Sequence, residues 1–461
     1  MSISKAASRG RRADPERVKL PGLHPAALIG GYVVIALVPL ILAAMQRRPP
    51  HSFWRELSSG LVMVGFVALL LQFLLSGRFR QISGRIGIDA VMRFHQLIAW
   101  SALAFVIAHP LLYAVPRLVT GGFGDAMASL SRMFGSPALR TGVIAWVLLL
   151  LLVPLAAWRD SLPARYELWR FSHGAGAVAI AVLGLNHTLR VGTYSDGALL
   201  AGFWVFLTAA AVLSVAHVYL LKPLLQLFAP WRVVANRKVA DRTWEIAIEP
   251  ENGAAPRFGA GQFVWLKLGH GPFSLVEHPF SISSAPADRP RLAFTIKESG
   301  DFTSRIGEIA PGTRAYIDGP HGTFTLVGHR PRPVVFIAGG VGFAPVIGIL
   351  RQLARERYPH PVRLIYGNRV ETQILYRDEI EGFGQVLDFR ADLVLSEPPP
   401  GWTGRTGQLT PDTLLDCLQD APREAIYFVC GPVPMMDVVE STLVNMGIPA
   451  DSVVLERFRY A

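Results

Sequence analysis

Cysteine is nearly absent from this sequence, because its 461 residues include only Cys417 and Cys430. Two thiols cannot hold an iron–sulfur cluster of the four-cysteine kind, and they do not indicate a disulfide framework. Charged residues are scarce as well, at 17% against about 25% in soluble proteins, whereas hydrophobic residues reach 51%. The apolar residues crowd into the first half, which predicts a membrane portion followed by a soluble portion.

Other patterns are also missing. No calcium-binding loop of the D-x-[DN]-x-[DN]-G type occurs, so calcium gating within this chain is not expected. The basic tail, residues 1–23, has no short apolar core followed by a small-residue cleavage site, which predicts a cytoplasmic tail and not a signal peptide. The net charge is +11, but the arginines flank apolar runs as membrane topology requires, which argues against a nucleic-acid partner.

Six long apolar runs occupy the first half, and most approach the ~20 residues needed to cross a bilayer. They lie near residues 26–45, 59–76, 94–116, 141–158, 171–190 and 198–221. Arginine is enriched in the tail and in the second and fourth connections, which places these on the cytoplasmic side. The sequence therefore predicts a multi-pass protein in contact with the lipids of the inner (cytoplasmic) membrane, with both chain ends in the cytoplasm.

Four histidines stand out in the third and fifth runs. His95 and His109 are fourteen residues apart, and so are His173 and His187. Fourteen residues come within roughly 40° of whole helical turns and span ~21 Å, so each pair lies on one helix face. If the two spans run parallel, His95 faces His173 and His109 faces His187, as in two stacked six-coordinate haem sites. Ordinary packing, another metal or a proton relay remain alternatives.

Arginines lie close to these histidines. Arg93 and Arg170 precede the inner ones, where they serve either membrane topology or pairing with haem propionates. Pro110 predicts a kink after His109. The third connection, roughly residues 117–140, is expected to cap the outer haem.

The second half of the sequence contains two kinds of predicted strand: first strands in which apolar and polar residues alternate, then strands that are continuously apolar. Residues 223–230 predict a linker, and residues 231–328 predict an antiparallel β-barrel from short alternating strands with Gly and Pro turns. Residues 329–461 predict an α/β doubly wound domain, because buried strands alternate with helices. Together with residues 24–222, the fold class is an all-α six-helix transmembrane bundle followed by these two domains.

Several short motifs carry chemistry in this half. Gly339, Gly340 and Gly342 form a strand-to-helix turn before Pro345, which suits a pyrophosphate but is not GxGxxG and also fits any tight turn. The strand ending at Cys430, Gly431 and Pro432 reaches the carboxyl edge of the predicted sheet. In the barrel, the segment His278, Pro279, Phe280, Ser281, Ile282, Ser283 and the segment Gly300, Asp301, Phe302, Thr303 offer a ring, hydroxyls and a second anion site.

Read together, HPFSISS, GDFT, GGVGFAP, YGNR and CGP resemble ferredoxin-reductase-type flavoproteins. Joined behind six spans with twinned histidine pairs, they resemble the ferric reductase and NADPH oxidase superfamily. The resemblance implies FAD, two haem b groups, and NADPH or NADH as donor. It implies haem-iron ligation by His95, His109, His173 and His187, and it implies catalytic roles for Cys430 beside the nicotinamide and for Phe458 over the flavin, with Tyr460 as the alternative aromatic.

The same resemblance implies binding residues. Flavin contacts fall on His278, Pro279, Phe280, Ser281, Ser283, Gly300, Phe302 and Thr303. Nucleotide contacts fall on Gly339, Gly340, Gly342, Pro345, Gly431 and Pro432. Separately, Arg369 or Arg405 could pair with a 2′-phosphate and favour NADPH, and the alternative for both is a solvated surface charge.

The implied activity is an NAD(P)H-dependent transmembrane oxidoreductase. Electrons would pass from cytoplasmic NAD(P)H through FAD and both haems to an outer acceptor, most readily dioxygen, giving superoxide. A ferric chelate, another metal or a quinone is the alternative acceptor. A membrane electron-transfer subunit serving a partner protein is the alternative of another class, although the complete reductase domains predict no obligate protein partner.

Overall fold

The computed structural model describes residues 22–76, 78–161, 166–329 and 331–457. Its first half contains six helices long and apolar enough to cross a membrane, which confirms the six-helix prediction. The helices of this half are α1 (Pro25–Ala44), α2 (Phe53–Leu71), α3 (Arg80–Ile86), α4 (Ile88–Gly135), α5 (Arg140–Ala157), α6 (Tyr166–Val191), α7 (Ala198–Ala216) and α8 (Lys222–Gln226). The short α3 is not part of any span. Helix α4 packs against α2 and α5, and α6 packs against α5 and α7.

The third connection differs from the prediction. Residues 117–135 are helical, because α4 continues to Gly135 and is interrupted at Gly122, where φ is 79°. Glycine tolerates this positive φ, so the helical backbone is interrupted at Gly122, whereas Pro110 lies within the helix. Half of the predicted linker 223–230 is helical, since α7 continues through the π-helical turn His217–Leu221 into α8, which ends at Gln226. The domain boundaries themselves stay a prediction.

The first soluble domain is a curled antiparallel sheet. Its strands are β1 (Trp231–Ala240), β2 (Thr243–Pro250), β3 (Phe263–Leu268), β4 (His278–Ser281), β5 (Leu292–Lys297) and β6 (Arg314–His321). Their order is β4-β3-β6-β1-β2-β5. A bridge between Ile282 and Phe294 joins the two ends of the sheet, so the strands curl around an apolar interior. This confirms the barrel.

The second soluble domain is a parallel sheet covered by helices. Its strands are β7 (Val334–Gly339), β8 (Val362–Asn368), β9 (Phe389–Leu395), β10 (Arg405–Thr406), β11 (Ile426–Cys430) and β12 (Val453–Glu456). Their order is β10-β9-β8-β7-β11-β12. The helices are α9 (Phe343–Glu356), α10 (Arg377–Gly382), α11 (Pro411–Leu418) and α12 (Val433–Asn445). The strand order reverses at β7, which confirms the doubly wound fold and places the Gly339–Gly342 turn at the reversal.

Candidate functional site

His95 and His173 lie side by side at the end of the helix bundle that faces the barrel. Their ring centres are 6.5 Å apart and the rings are tilted by 55°. Two imidazoles that bind one metal ion from opposite sides, at ~2 Å metal–nitrogen distances, have ring centres ~6 Å apart. The Nδ1 atoms of both rings are buried and find no hydrogen-bond partner in the described part of the chain. We call these two residues the reductase-side pair, and their spacing fits a shared iron.

His109 and His187 lie further along the same two helices, beside a cavity of about 350 Å³. Both imidazoles line it, together with residues of α2 and α5. Met133 and Phe134, from the part of α4 beyond Gly122, also line this cavity, so the third connection does contribute to its wall. We call His109 and His187 the distal pair.

Ser58 on α2 determines which nitrogen of His109 is free. The Ser58 hydroxyl donates to the backbone oxygen of His109 at 2.9 Å, so its single proton is already used. At 2.8 Å from Nδ1 of the same residue, the hydroxyl oxygen therefore accepts the Nδ1 proton. The Nε2 lone pair of His109 is left available for a metal. The sequence analysis missed Ser58, because it lies 51 residues from its partner.

Gly142 on α5 provides the space for His187. A Cβ atom at this position would lie 2.4 Å from Nδ1 of His187, closer than any side chain can approach. Two histidines supply only two ligands, so an iron held by either pair needs a macrocycle for its remaining positions. The cavity, the free Nε2 of His109 and the ring spacing of the reductase-side pair fit a haem at each level.

Arg170, which the sequence assigned either to membrane topology or to a haem propionate, contacts a carboxylate of the barrel. Its guanidinium donates to Glu277 at 2.5 Å and to the hydroxyl of Tyr219 at 3.0 Å. Glu277 belongs to the barrel and directly precedes β4, whereas Arg170 lies one helical turn before His173. Arg93, the other arginine considered, lines a second cavity described below.

Strand β4 brings together part of the predicted flavin site. The ring of His278 stacks on Phe302 with centres 4.4 Å apart, and the ring of Phe280 lies 6.2 Å from that of His278. Burial lowers the pKa of His278, so its imidazole is neutral. Nε2 of His278 and the hydroxyls of Ser281 and Ser283 are buried without a hydrogen-bond partner among the described residues. Pro279 faces the opposite way, toward Trp265 of β3.

The predicted second anion site is a turn that holds itself together. Gly300 has a φ of 97°, which requires glycine. The Thr303 hydroxyl accepts a hydrogen bond from the Ser299 amide and donates one to the Ser299 oxygen. Its proton is therefore used within the turn, and backbone amides are the donors that remain for an anion.

The glycine-rich turn after β7 packs tightly against the end of β11. A Cβ on Gly342 would lie 2.4 Å from the backbone oxygen of Cys430, and a Cβ on Gly339 would lie 2.5 Å from Met435. The hydroxyl of Tyr366 donates to the Gly340 oxygen at 3.0 Å and holds the turn. Helix α9 begins immediately after it, and so its free N–H groups point toward this edge of the sheet.

The predicted residues around this turn are placed as follows. Pro345 is buried in the first turn of α9, Gly431 approaches Gly339, and Pro432 caps α12. Arg369, at the end of β8, is 65% exposed and lies 4.0 Å from Glu397. Arg405 is instead bonded to Asp392 at 3.0 Å. Phe458 and Tyr460 lie outside the described residues.

Cys430 lies opposite Glu456, the last residue of β12. Burial, followed by the charges of Glu456 and Asp89, raises the pKa of the Cys430 thiol well above its ordinary value, so it is protonated. Burial, followed by the charge of Asp89, also raises the pKa of Glu456 well above its ordinary value, which favours the neutral form of this carboxyl. Sequence reasoning singled out Cys430 and missed Glu456, which has no motif of its own.

A cavity of about 270 Å³ lies where the three parts of the chain meet. Asp89 and Arg93 of α4, Trp265 and Pro279 of the barrel, and Glu456 of the parallel-sheet domain line it. The backbone amide of Arg457 donates to the Asp89 carboxylate at 3.2 Å. The start of the helix that carries His95 therefore contacts both soluble domains.

Comparisons with known proteins divide the chain in the same way. The family model described as "Ferric reductase like transmembrane component" matches residues 61–184, and the one described as "Oxidoreductase NAD-binding domain" matches residues 336–441. Ferredoxin--NADP reductase B of Sorangium cellulosum is 33% identical over 235 residues, which cover 49% of this chain and 96% of that protein.

Other relatives are covered less completely. The reductase component of propane 2-monooxygenase from Gordonia sp. is 32% identical over 46% of this chain, which spans only 61% of that protein. Among solved structures, a flavohemoglobin from Malassezia yamatoensis is 18% identical, with a TM-score of 0.46 over 79% of this chain and 97% of that chain.

The membrane half and the reductase half are thus matched by two different families within one polypeptide. The chain thus joins a ferric-reductase-like transmembrane domain to an NAD-binding oxidoreductase domain, which is the arrangement of a fusion of the ferric reductase and NADPH oxidase type, and it is a multi-pass NAD(P)H-dependent oxidoreductase.

Proposed function

We propose that this protein transfers electrons from cytoplasmic NAD(P)H across the inner membrane to dioxygen, through FAD and two bis-histidine haem b groups. One observation carries the proposal. The barrel docks on the end of the bundle that holds the reductase-side pair, through the contact of Glu277 with Arg170, and the distal pair lies at the other end beside a cavity. Electrons that enter from the reductase domains therefore meet His95 and His173 first.

The four histidines would hold the haem irons in this proposal. His95 with His173 would hold one, and His109 with His187 would hold the other, each pair joining α4 and α6. Ser58 keeps the Nδ1 of His109 protonated and its Nε2 free for iron. Gly142 leaves room for the ring of His187.

The soluble domains bind the flavin and the nucleotide. Phe280 and His278 pack beside the flavin ring, and Ser281, Ser283 and the backbone of the Gly300 turn donate to its polar atoms. The Gly339–Gly342 turn and the start of α9 bind the dinucleotide phosphates, while Cys430 contacts the nicotinamide as a neutral thiol. When bound, FAD accepts a hydride from NAD(P)H and releases its two electrons one at a time.

Two residues are proposed for nucleotide choice and for flavin cover. Arg369 is the better candidate for a 2′-phosphate, because it is exposed and lies 4.0 Å from its nearest carboxylate, whereas Arg405 is bonded to Asp392. Phe458 is proposed to cover the flavin.

The purified protein tests this proposal. It should bind two low-spin haems per chain and oxidise NAD(P)H without any partner protein. Reduction of cytochrome c that superoxide dismutase suppresses would identify dioxygen as the acceptor. Ferrous iron detected with ferrozine under anaerobic conditions, without superoxide in air, would instead show that a ferric chelate is the acceptor and would refute the oxidase.

A further inference from the structure

A cluster of buried charges joins the membrane helices to the barrel. Three basic residues come from the membrane half: Arg78 lies between α2 and α3, Arg170 lies near the start of α6, and Lys222 is the first residue of α8. Glu277 and Asp318 come from the barrel, on the edge of the sheet formed by β4, β3 and β6. We call these five residues the docking cluster.

Every member of the docking cluster is paired across the junction. Glu277 accepts hydrogen bonds from both Arg78 and Arg170, the latter at 2.5 Å. Asp318 lies 2.8 Å from Lys222 and 3.5 Å from Arg78. The guanidinium of Arg78 also lies 3.9 Å above the ring of Trp265. The barrel is thus held at several points of one edge.

Charged side chains of the docking cluster are buried, so they need counter-ions. The side chains of Glu277, Arg78 and Arg170 are only 5%, 9% and 11% exposed. Burial raises the pKa of Glu277, but the positive charges of Arg78, Arg170 and Lys267 outweigh it and hold that pKa below its ordinary value. Glu277 is therefore ionised, and removing its charge would leave buried cations without their counter-ion.

The docking cluster also touches the residues that matter for electron transfer. Glu277 directly precedes His278 and the flavin strand β4. Arg170 lies one helical turn before His173, whose ring also stacks on Trp169 at 5.4 Å. Trp265, beneath Arg78, pairs with Pro279 of β4. One carboxylate thus connects the strand proposed to bind flavin with the helix proposed to bind the first haem.

We propose that Glu277, through Arg170 and Arg78, is a positioning residue that fixes the distance between the flavin strand and the reductase-side pair, and so sets the rate of electron transfer between them. This inference rests on the proposed function. NAD(P)H would transfer a hydride, which is two electrons and one proton, to the bound flavin, and that proton would be released when the flavin is reoxidised. The two electrons would cross the junction singly, and each would convert one ferric haem to ferrous haem. The rate of electron tunnelling falls steeply with distance. A small displacement of β4 would therefore slow electron transfer from the flavin to the haem and leave hydride transfer from NAD(P)H unchanged.

Glu277→Gln in the full-length holoprotein separates this crossing from the earlier steps. Glutamine keeps the size of the side chain and removes its charge. We expect NAD(P)H-dependent reduction of ferricyanide, which takes electrons directly from the flavin, to stay within about twofold of wild type. The rate at which NAD(P)H reduces the haem under anaerobic conditions should fall at least about tenfold.

Hydrogen exchange supplies a readout that does not depend on turnover. Amide exchange of residues 274–281 and of the first turn of α6 should rise in Glu277→Gln. Glu249→Gln is the matched control, because Glu249 pairs with Arg291 on an exposed part of the same barrel. The control should leave the rates of ferricyanide reduction and haem reduction unchanged. It should also leave amide exchange of residues 274–281 and of the first turn of α6 unchanged. If Glu277→Gln folds poorly, the Arg170→Gln/Glu277→Gln double variant, which removes both charges, should show the same selective loss.

Three results would overturn the inference. Haem reduction could stay at the wild-type rate, it could fall in parallel with ferricyanide reduction, or exchange at the junction could remain unchanged. A wild-type protein that binds no haem, or whose haem NAD(P)H does not reduce, would instead refute the proposed function, so the two failures are distinguishable.

Discussion

The reductase-side pair and the distal pair share a spacing and two helices, yet their surroundings differ. The rings of His95 and His173 lie 6.5 Å apart at the junction with the barrel. His109 and His187 border a cavity of about 350 Å³, and Ser58 holds the ring of His109. The reductase-side pair, beside the reductase domains, suits the passing of electrons to the next site. The distal pair, beside a cavity, suits contact with an acceptor. Equal spacing of the two histidine pairs in the sequence therefore does not imply that they have the same function.

Replacing each pair by alanine gives the largest expected effect. His95→Ala/His173→Ala and His109→Ala/His187→Ala should each lose half of the bound haem, because each removes both axial ligands of one iron. In the distal variant, NAD(P)H should still reduce the remaining haem at the wild-type rate. In the reductase-side variant, NAD(P)H should not reduce the remaining haem at that rate.

Absorbance spectra and anaerobic stopped-flow reduction measure both quantities. Chemical reduction with dithionite is the control, since it should reduce the remaining haem in either variant. Fast NAD(P)H-driven reduction in the reductase-side variant would show that the order of the two sites is wrong.

Gly142→Ala should weaken the distal site alone. The new Cβ would meet Nδ1 of His187 at 2.4 Å, so the ring has to leave its position. We expect partial loss of the distal haem and an unchanged reductase-side spectrum. Gly202→Ala in α7 is the matched control, because a Cβ there meets nothing within 4 Å and alanine favours the helix by ~1 kcal/mol. Equal haem content in both variants would contradict this account of Gly142.

Ser58→Ala should have a smaller effect on the same site. Loss of the hydroxyl frees the Nδ1 proton of His109 and its ring orientation, and such outer-shell changes cost ~10-fold or more in metal affinity. Haem retention during dilution and the reduction potential of the distal haem are the measurements. Ser101→Ala is the control, because the Ser101 hydroxyl bonds to Leu97 of its own helix on an exposed face. A distal potential that moves equally in both variants would rule out the proposed role.

The sequence predicted local features and missed tertiary ones, for a physical reason. Helical period alone places His95 and His109 on one face, and hydrophobic runs alone indicate the six spans. The helical segment after Gly122 was missed because its sequence is rich in glycine and serine and has no continuous apolar run. The contact of Arg170 with Glu277 spans 107 residues. No local pattern specifies such a pairing, which depends on how the barrel docks.

Acidification should give the smallest effect, and only at the reductase-side pair. Burial raises the pKa of both Glu277 and Asp318. At Glu277 the charges of Arg78, Arg170 and Lys267 outweigh burial and hold the pKa below its ordinary value of 4.5. At Asp318 the hydrogen bond and charge of His321, followed by the charges of Lys222 and Arg78, hold the pKa below 3.8. A carboxyl whose pKa is lower in the folded protein stabilises it fully above the ordinary value and loses that stabilisation as the pH falls through the folded value.

The stability of the junction between the barrel and the membrane helices should therefore be constant from pH 7 to about pH 5. It should fall progressively once the pH drops below the ordinary pKa values of the two carboxyls. Burial lowers the pKa of His321 below its ordinary value of 6.5, although its contact with Asp318 opposes this shift, so the imidazole is mainly uncharged at pH 7. Dithionite-reduced spectra should show the distal haem unchanged over the same range. Hydrogen exchange of residues 274–281 at pH 6 and pH 4 measures the junction, and Glu277→Gln should flatten the pH dependence, since it removes one of the two titrating groups. Equal pH dependence in this variant and in the wild type would show that Glu277 does not control docking.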